Sequence, residues 1–314
     1  MLKPSLAILA ASIRQHLSWL DMKLSPAWFW PFALLAVMAW PGQASARDRV
    51  ALITMLDGDA VVIHAVTKLA AATGAIVDAE DIIQTTAKTA LLRLEFDNGM
   101  VIDLGPSSRL LVRPVWPLSR DKGAAAYLLE GWAKVAVGSK QAPAAVLPLA
   151  TASMDVLHTA HDVVVRIQGK VTEVFAGSGD ALLSVRSKEG KATQTALVHG
   201  QYILADSKGA ADSLPRPLPS FIQAVPRAFM DTLPSRAAMY KGKEASMSRA
   251  GALSYSDLEP WLNAEPRIRA RFPVAWKALA QDDAFRSSLI SQLTSHPEWR
   301  RVLHPQAPTD YKQP

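Results

Sequence analysis

A chain of 314 residues, 49% of them apolar, has enough apolar material for one large folded domain or two ordinary ones, which excludes a disordered polymer. The chain contains no cysteine, which excludes a disulfide framework, a thiolate nucleophile and a Cys-ligated metal. The net charge of +6 is spread as three Lys/Arg against one Asp/Glu in residues 1–46, sixteen against sixteen in 47–205, and fifteen against eleven in 206–314. No basic stripe of the kind that phosphate backbones attract is present, so we expect no nucleic-acid partner.

The first 46 residues have the order of a secretory signal peptide. Lys23 precedes an apolar run over residues 27–40, and Ala44 and Ala46 supply the small residues of an A-x-A cleavage site. The run has fourteen residues, fewer than the roughly 20 that a membrane span needs. We therefore predict cleavage after Ala46 and export to the periplasm, with an uncleaved inner-membrane anchor as the alternative. Met22 is the expected true start, although an unusually long segment before the apolar run would also explain the pattern.

From Val50 to about residue 205 the sequence offers roughly a dozen short runs with a period of two, separated by turn residues, as in an all-β domain. The runs are residues 51–55, 60–65, 82–83, 91–96, 100–104, 110–113, 127–137, 154–157, 162–168, 170–176, 181–186 and 196–204. This periodicity predicts a sandwich, a barrel or an irregular β-solenoid and does not choose among them.

The strongest local signal is a hairpin over residues 91–104. Apolar residues alternate with Arg93 and Glu95 before the turn, which predicts one apolar face and one solvent-facing face. The turn itself is Asp97–Gly99, in which Asn-Gly tolerates the positive φ that a tight hairpin requires at both central positions.

The motifs of this region, in their chain order, resemble the FecR domain. The matching segments are Gly74, the Asp-Ala-Glu-Asp-Ile-Ile-Gln-Thr of residues 78–85, the hairpin of 90–99, the Leu-Gly-Pro-Ser-Ser-Arg-Leu of 104–110, the strand of 128–135, and the strands of 172–177 and 198–201. In its best-known members this domain is the exported sensory part of a membrane regulator with a cytoplasmic anti-sigma segment. At most 26 residues precede the apolar run here, too few for such a segment, so the resemblance implies an exported domain that binds a ligand or another envelope protein.

The composition changes after residue 205. Prolines recur between short apolar groups, which predicts a connector that lies against the β domain. Helix signals then return, with expected N-caps at Ser256 or Asp257 and at Asp282 or Asp283 and with Pro266, Pro273 and Pro297 in first turns. Such a small unit buries little alone, so Trp261, Trp276 and Trp299 should pack among the helices or onto the β region. The predicted parts are a leader (1–46), a FecR-like β domain (47–205), a Pro-rich linker (206–254), a small α-helical C-terminal subdomain (255–305) and a flexible tail (306–314).

Several residue patterns suggest chemistry, and each has a simpler interpretation. Ser119 and Lys122 have the Ser-x-x-Lys spacing of acylating enzymes, but the accompanying Ser-Asp-Asn and Lys-Thr-Gly elements are missing. His158 and His161, with Asp155 and Asp162 nearby, could be read as metal ligands, but residues i and i+3 of a strand point to opposite faces.

Two further patterns, a glycine-rich segment and a group of arginines, also have a simpler interpretation. The Ala-Gly-Ser-Gly-Asp of residues 176–180 is expected to be a hairpin turn rather than a phosphate-binding nest. Arg267, Arg269 and Arg271 are expected to form a solvated face, with an anionic envelope partner as the sharper alternative.

The sequence therefore predicts an exported, mainly β protein without catalysis, cofactor or metal, which acts as a binding or signalling-associated module with a cell-envelope protein or polymer. Two alternatives stay open. One is a glycan-active envelope enzyme that uses a pair of carboxylates, which leaves no spacing to read. The other is a periplasmic scaffold that is tethered by an uncleaved leader.

Overall fold

The computed structural model describes residues 49–115, 123–137, 146–187, 189, 191–206 and 209–304, which all belong to one compact unit. The strands are β1 (Arg49–Asp57), β2 (Ala60–His64), β3 (Thr67–Ala70), β4 (Ile76–Asp78), β5 (Ile82–Thr85), β6 (Leu91–Phe96), β7 (Val101–Leu104), β8 (Arg109–Val112), β9 (Gly123–Ala124), β10 (Ala126–Ala136), β11 (Val146–Leu147), β12 (Leu149–Ala150), β13 (Met154–Thr159), β14 (Asp162–Gln168), β15 (Val171–Ser178), β16 (Ala181–Arg186), β17 (Ala192–Leu197), β18 (Tyr202–Asp206) and β19 (Ala211–Leu214). The α-helices are α1 (Pro219–Ala224), α2 (Tyr255–Leu262), α3 (Pro266–Arg269), α4 (Phe272–Ala275), α5 (Asp283–Ser291) and α6 (Arg300–Leu303). Short 3-10 helices cover Arg227–Met230, Ala237–Tyr240, Lys277–Gln281 and Pro297–Trp299. The prediction of a mainly β chain with helices at its C-terminal end is confirmed.

Seventeen of the strands form two sheets that share the long strand β10. The strand order is β4-β1-β6-β7-β10-β14-β15-β18-β19 in sheet 1 and β3-β2-β5-β8-β10-β12-β13-β16-β17 in sheet 2. The first part of β10 pairs with β8 and the part from Gly131 onward pairs with β14. Gly131 has a φ of +90°, a conformation that suits glycine and lets the strand turn from one sheet into the other.

The inner faces of both sheets contribute to one buried apolar cluster. Ile53 and Leu94 come from sheet 1, whereas Val62, Ile83 and Leu183 come from sheet 2. Two sheets that share one core form a β-sandwich, which is one of the three architectures that the sequence left open.

Helices cover the part of the outer face of sheet 2 that is formed by β2, β5, β8 and β10. Ile82, Leu111 and Tyr127 of that sheet lie in one cluster with buried side chains of the helices. Those helical side chains include Leu258, Trp261, Phe272, Trp276, Phe285, Leu289 and Trp299. The three tryptophans of this region therefore pack as expected, both among the helices and onto the β region.

The connector covers the outer face of sheet 1, and this overturns the predicted solvent-facing side of β6. Arg93 and Glu95 are only 4% and 5% exposed. Arg93 makes a two-pronged bond to Asp103 at 2.6 and 2.7 Å, and its remaining nitrogen donates to the carbonyl of Leu233 at 2.9 Å. Glu95 accepts hydrogen bonds from side-chain and backbone donors of the connector. The polar residues of β6 share one face as predicted, but that face lies under another part of the same chain.

The connector also pairs with the free edges of two strands. Leu69 of β3 forms a bridge with Arg249, and Ala75, next to β4, forms a bridge with Ala245. These contacts satisfy backbone groups that an edge strand would otherwise expose.

Local details differ from the predictions at several turns and caps. The β6–β7 hairpin is present, but only Gly99 of its loop has a positive φ, at +82°, so the predicted pair of positive φ angles is wrong. Its three-residue loop ends in a glycine in the left-handed region, a common alternative to the two-residue turn. Helix α2 is capped by Ser254 rather than by Ser256 or Asp257, whereas Asp282 caps α5 as predicted. Among the described residues, no helix has both the length and the apolar character to cross a membrane.

Candidate functional site

A cavity of about 290 Å³ lies where the edge of sheet 2 meets the helices. The turn after β2 and the turn between β4 and β5 form one wall, and α4 with its flanking residues forms the other. Ala65 and Glu80, in the two turns, have positive φ angles of 52° and 71°. Left-handed backbone at residues other than glycine costs energy and is found more often at functional sites than elsewhere.

The first wall carries an imidazole between two carboxylates. His64 Nδ1 lies 2.7 Å from Asp81 Oδ1 and 3.9 Å from Asp78 Oδ2. The register of β2 with β5 pairs Ile63 with Ile82, which places His64 beside Asp81. The second oxygen of Asp81 accepts a hydrogen bond from the backbone N–H of Asp78 at 2.9 Å, which fixes the turn and the orientation of the carboxylate.

The exposure of these groups differs. The His64 side chain is 48% exposed, whereas the side chains of Asp78 and Asp81 are 9% and 3% exposed. The two carboxylates are therefore largely removed from water, and the imidazole is the part of the cluster that solvent reaches.

The second wall carries a buried guanidinium group. The Arg271 side chain is 10% exposed and pairs with Glu80. Within the described part of the chain, its Nε and Nη1 atoms have no hydrogen-bond partner. Burial lowers the pKa of Arg271 to about 10, so the group stays charged at neutral pH. Phe272 and Trp276, which stack with ring centroids 3.9 Å apart, complete this wall.

The first wall brings possible metal ligands together. The His64, Asp78 and Asp81 ligand atoms all lie within 4.8 Å of one another, which is close enough for one metal ion to contact all three. The described lining of the cavity contains no serine, threonine, tyrosine, lysine or cysteine.

The structure does not assemble the residues that the sequence suggested as metal ligands. Asp155 forms an ion pair with Arg186, and His158 stands exposed on β13 in register with Leu182. Asp162 Oδ2 lies 3.5 Å from Lys134 Nζ. Within the described ranges, His64, Asp78 and Asp81 are the only group of three such residues with ligand atoms close enough to share an ion.

A second cavity, of about 280 Å³, lies beside His161 and Asp162 on sheet 1. Its other acidic residues include Asp103, whose two carboxylate oxygens both accept hydrogen bonds from Arg93. Two of the acids that line this cavity, Asp103 and Asp162, are therefore paired with Arg93 and Lys134.

The arginines of the helical region do not form the predicted solvated face. Arg267 lies 2.5 Å from Glu265 and donates to the carbonyl of Thr151 at 2.7 Å. Arg269 lies 2.8 Å from Glu298, and Arg271 pairs with Glu80. Their side chains are 23%, 22% and 10% exposed. These pairs tie the helices together and bind them to the sandwich, so the three arginines are engaged within the fold rather than solvated.

Two other predicted features have a definite outcome. Residues 176–178 end β15 and only Gly179 and Asp180 link it to β16, which belongs to the other sheet, so the segment is not the predicted hairpin. Ser119, Lys122 and the predicted cleavage site at Ala46 lie outside the described residues.

Comparison with known proteins gives a weak structural likeness. Two crystal structures of a "putative anti-sigma factor" from Parabacteroides distasonis match with TM-scores of 0.33 and 0.32 and sequence identities of 13% and 12%. Each match covers 43% of this chain and 59% of the other chain, so it spans less than two thirds of the neighbour. No protein-family model matches the sequence, and no curated protein matches it. At this identity and TM-score, the likeness assigns no function.

Proposed function

We propose that this protein is an exported, non-catalytic binding module of the cell envelope that takes part in signalling. The observation that carries the binding role is the cavity between sheet 2 and α4. It offers an imidazole, carboxylates, a guanidinium and stacked aromatic rings, but none of its described lining residues is a hydroxyl, thiol or amine nucleophile. The leader pattern that ends at Ala46 supports export. The resemblance to the FecR domain supports a place in envelope signalling.

The sandwich already carries cover on part of each outer face. The connector packs on sheet 1, and the helices pack on the part of sheet 2 that includes β2, β5, β8 and β10. A partner there meets turns, helix surfaces and the cavity mouth, whereas β17 at the other end of sheet 2 is exposed. Turns that a rigid scaffold holds in place are common positions for binding residues.

Export is tested by fractionation and N-terminal sequencing of the full chain expressed in a Gram-negative host. We expect the wild-type protein in the periplasmic fraction with Arg47 as its first residue. An Ala46→Leu variant places a bulky side chain at the cleavage site and should keep its leader and stay with the membrane. Recovery of the wild-type chain from the cytosol would contradict the proposal.

Binding is tested by using the mature chain, from Arg47 onward, as an immobilised bait for envelope and cytosolic extracts. We expect specific recovery of an envelope component from the first extract and none from the second. Bait that has been unfolded in urea before the incubation serves as the control for non-specific adsorption. Equal recovery from both extracts, or recovery that survives unfolding of the bait, would count against a folded recognition module.

A further inference from the structure

We propose that the cavity binds a divalent transition-metal ion of the zinc class on His64, Asp78 and Asp81, and that a small anion takes the remaining position on the ion. This inference names the ligand of the cavity and rests on the proposed binding function. Imidazole nitrogen and carboxylate oxygen are both ordinary ligands of Zn²⁺. A site with three protein ligands keeps a fourth, open position for water or another ligand.

The distances between the ligand atoms are close to those that an ion requires. Ligands at 2.0–2.1 Å from a tetrahedral ion lie about 3.3 Å from one another. His64 Nδ1 is 2.7 Å from Asp81 Oδ1 and 3.9 Å from Asp78 Oδ2. The first pair must separate by about half an ångström and the second must close by about the same amount, which small side-chain rotations provide. An ion on Nδ1 requires the imidazole tautomer that carries its proton on Nε2, and the ion would then join Nδ1 and the Asp81 carboxylate in place of their direct hydrogen bond.

The first wall offers an ion a set of ligands that is largely removed from water. The Asp81 side chain is 3% exposed, and a cation on its carboxylate would compensate a poorly solvated negative charge. Glu80 is not counted among these ligands, because its carboxylate pairs with Arg271. The half-exposed ring of His64 gives an ion a route into the cluster from the cavity.

Arg271 supplies an independent sign that the cavity holds a ligand. Its side chain is nine-tenths buried and lines the same cavity as His64 and Asp81. In the described structure its Nε and Nη1 atoms have no partner, and leaving buried charged donors unsatisfied is costly. An anion bound to the open position of the metal would accept hydrogen bonds from these atoms.

The test uses the full chain without a histidine tag, titrated with Zn²⁺ by calorimetry in a phosphate-free buffer. We expect one ion per chain. Co²⁺ should give the strong visible absorption of a four-coordinate site with nitrogen and oxygen ligands. His64→Gln and Asp81→Asn should each weaken binding at least tenfold, since even the loss of an outer-shell partner costs ten- to a hundredfold.

Matched controls are His158→Gln, an exposed histidine on β13, and Asp97→Asn, an exposed aspartate in the β6–β7 turn. Both should bind zinc like the wild type. His64 is half exposed, so His64→Gln should fold, and circular dichroism checks that it does. No zinc binding by the folded wild type, or zinc binding that His64→Gln leaves intact, would overturn the metal site.

The anion is tested by titrating acetate into the zinc-loaded and the metal-free chain. We expect acetate to bind only to the zinc-loaded chain, and we expect its affinity for zinc-loaded Arg271→Gln to be at least tenfold lower. Acetate that binds the metal-free chain through Arg271 while zinc does not bind would overturn the metal site and leave the binding function standing. Failure of both ligands would count against the cavity as a binding site.

Discussion

Gly131 lies where β10 passes from one sheet to the other, and we expect Gly131→Ala to be strongly destabilising. A Cβ atom at this position would lie 2.4 Å from Ser108 Cα and 2.5 Å from the carbonyl oxygen of Ser107. These neighbours are held in place, because Ser108 Oγ accepts a hydrogen bond from the backbone N–H of Trp132 at 2.8 Å. The added methyl group would therefore force β8 and β10 apart.

The cost has two parts that a control variant separates. A positive φ costs an alanine about 1–2 kcal/mol. Gly200 has nearly the same φ, +85° against +90°, but its added Cβ would meet nothing within 4 Å. At Gly131 the strands must also move by about 1 Å to restore ordinary contact, and such overpacking typically costs a further 1–3 kcal/mol. We therefore expect a loss of about 1–2 kcal/mol for Gly200→Ala and about 2–5 kcal/mol for Gly131→Ala.

The measurement is equilibrium unfolding in urea, followed by circular dichroism and tryptophan fluorescence. The free energies of unfolding of both variants are compared with that of the wild type, provided that the slopes with urea are alike. If Gly131→Ala lowers the free energy of unfolding no more than Gly200→Ala does, β8 and β10 do not approach each other as closely as they do in the structure. Gly131 belongs to the strand that resembles the FecR domain, so the same result would remove the structural reason for a glycine in that motif.

Two further predictions concern the buried charges under the connector. Asp103→Ala leaves the Arg93 guanidinium buried without its main partner. It should lower the free energy of unfolding in urea by about 3–5 kcal/mol, whereas the double change Arg93→Met with Asp103→Leu should lower it clearly less. Burial alone would raise the pKa of Glu95, but hydrogen bonds from Ser235, the backbone of Arg236 and Thr54 outweigh burial and hold the pKa below its ordinary value. The stabilisation from ionised Glu95 is therefore complete above about pH 4.3 and is lost as the pH falls through the lower pKa of the folded state. Glu95→Gln should remove this part of the acid sensitivity in unfolding measured at several pH values, and an unchanged pH profile would show that the carboxylate does not hold the connector.

Much of the fold could be predicted because it is encoded locally. The alternation over β6 and β7 and the Asn-Gly turn lie within fifteen residues, and they predict the hairpin that the structure contains. Proline positions predicted the starts of α3 and α4 for the same reason. The solvent-facing side of β6 could not be predicted correctly, because its cover comes from residues 140 positions further along the chain. A period-two pattern indicates which residues share a face but not what lies on that face.

The cavity could not be predicted, because its residues come from three distant segments. His64 and Asp81 lie side by side because of the register of β2 with β5. Arg271, directly before α4, comes from almost two hundred residues further along the chain. Asp78 and Asp81 stand in the sequence inside a segment that indicates only a resemblance to the FecR domain. His158 and His161 are close in sequence but do not form a cluster of ligand atoms among the described residues.

The position of the cavity links ligand binding to the docking of the helices. One wall belongs to the sandwich, through His64 and Asp81, and the other belongs to the helical cover, through Arg271. A metal ion with its anion would touch both walls, so it would bind the docked arrangement better than an arrangement in which the helices have moved away. Mass action then stabilises the docked state by about 2.7 kcal/mol at a ligand concentration one hundred times the dissociation constant. Zinc with acetate should therefore protect the amides of α4 from hydrogen exchange more than zinc alone, and Arg271→Gln should abolish that difference.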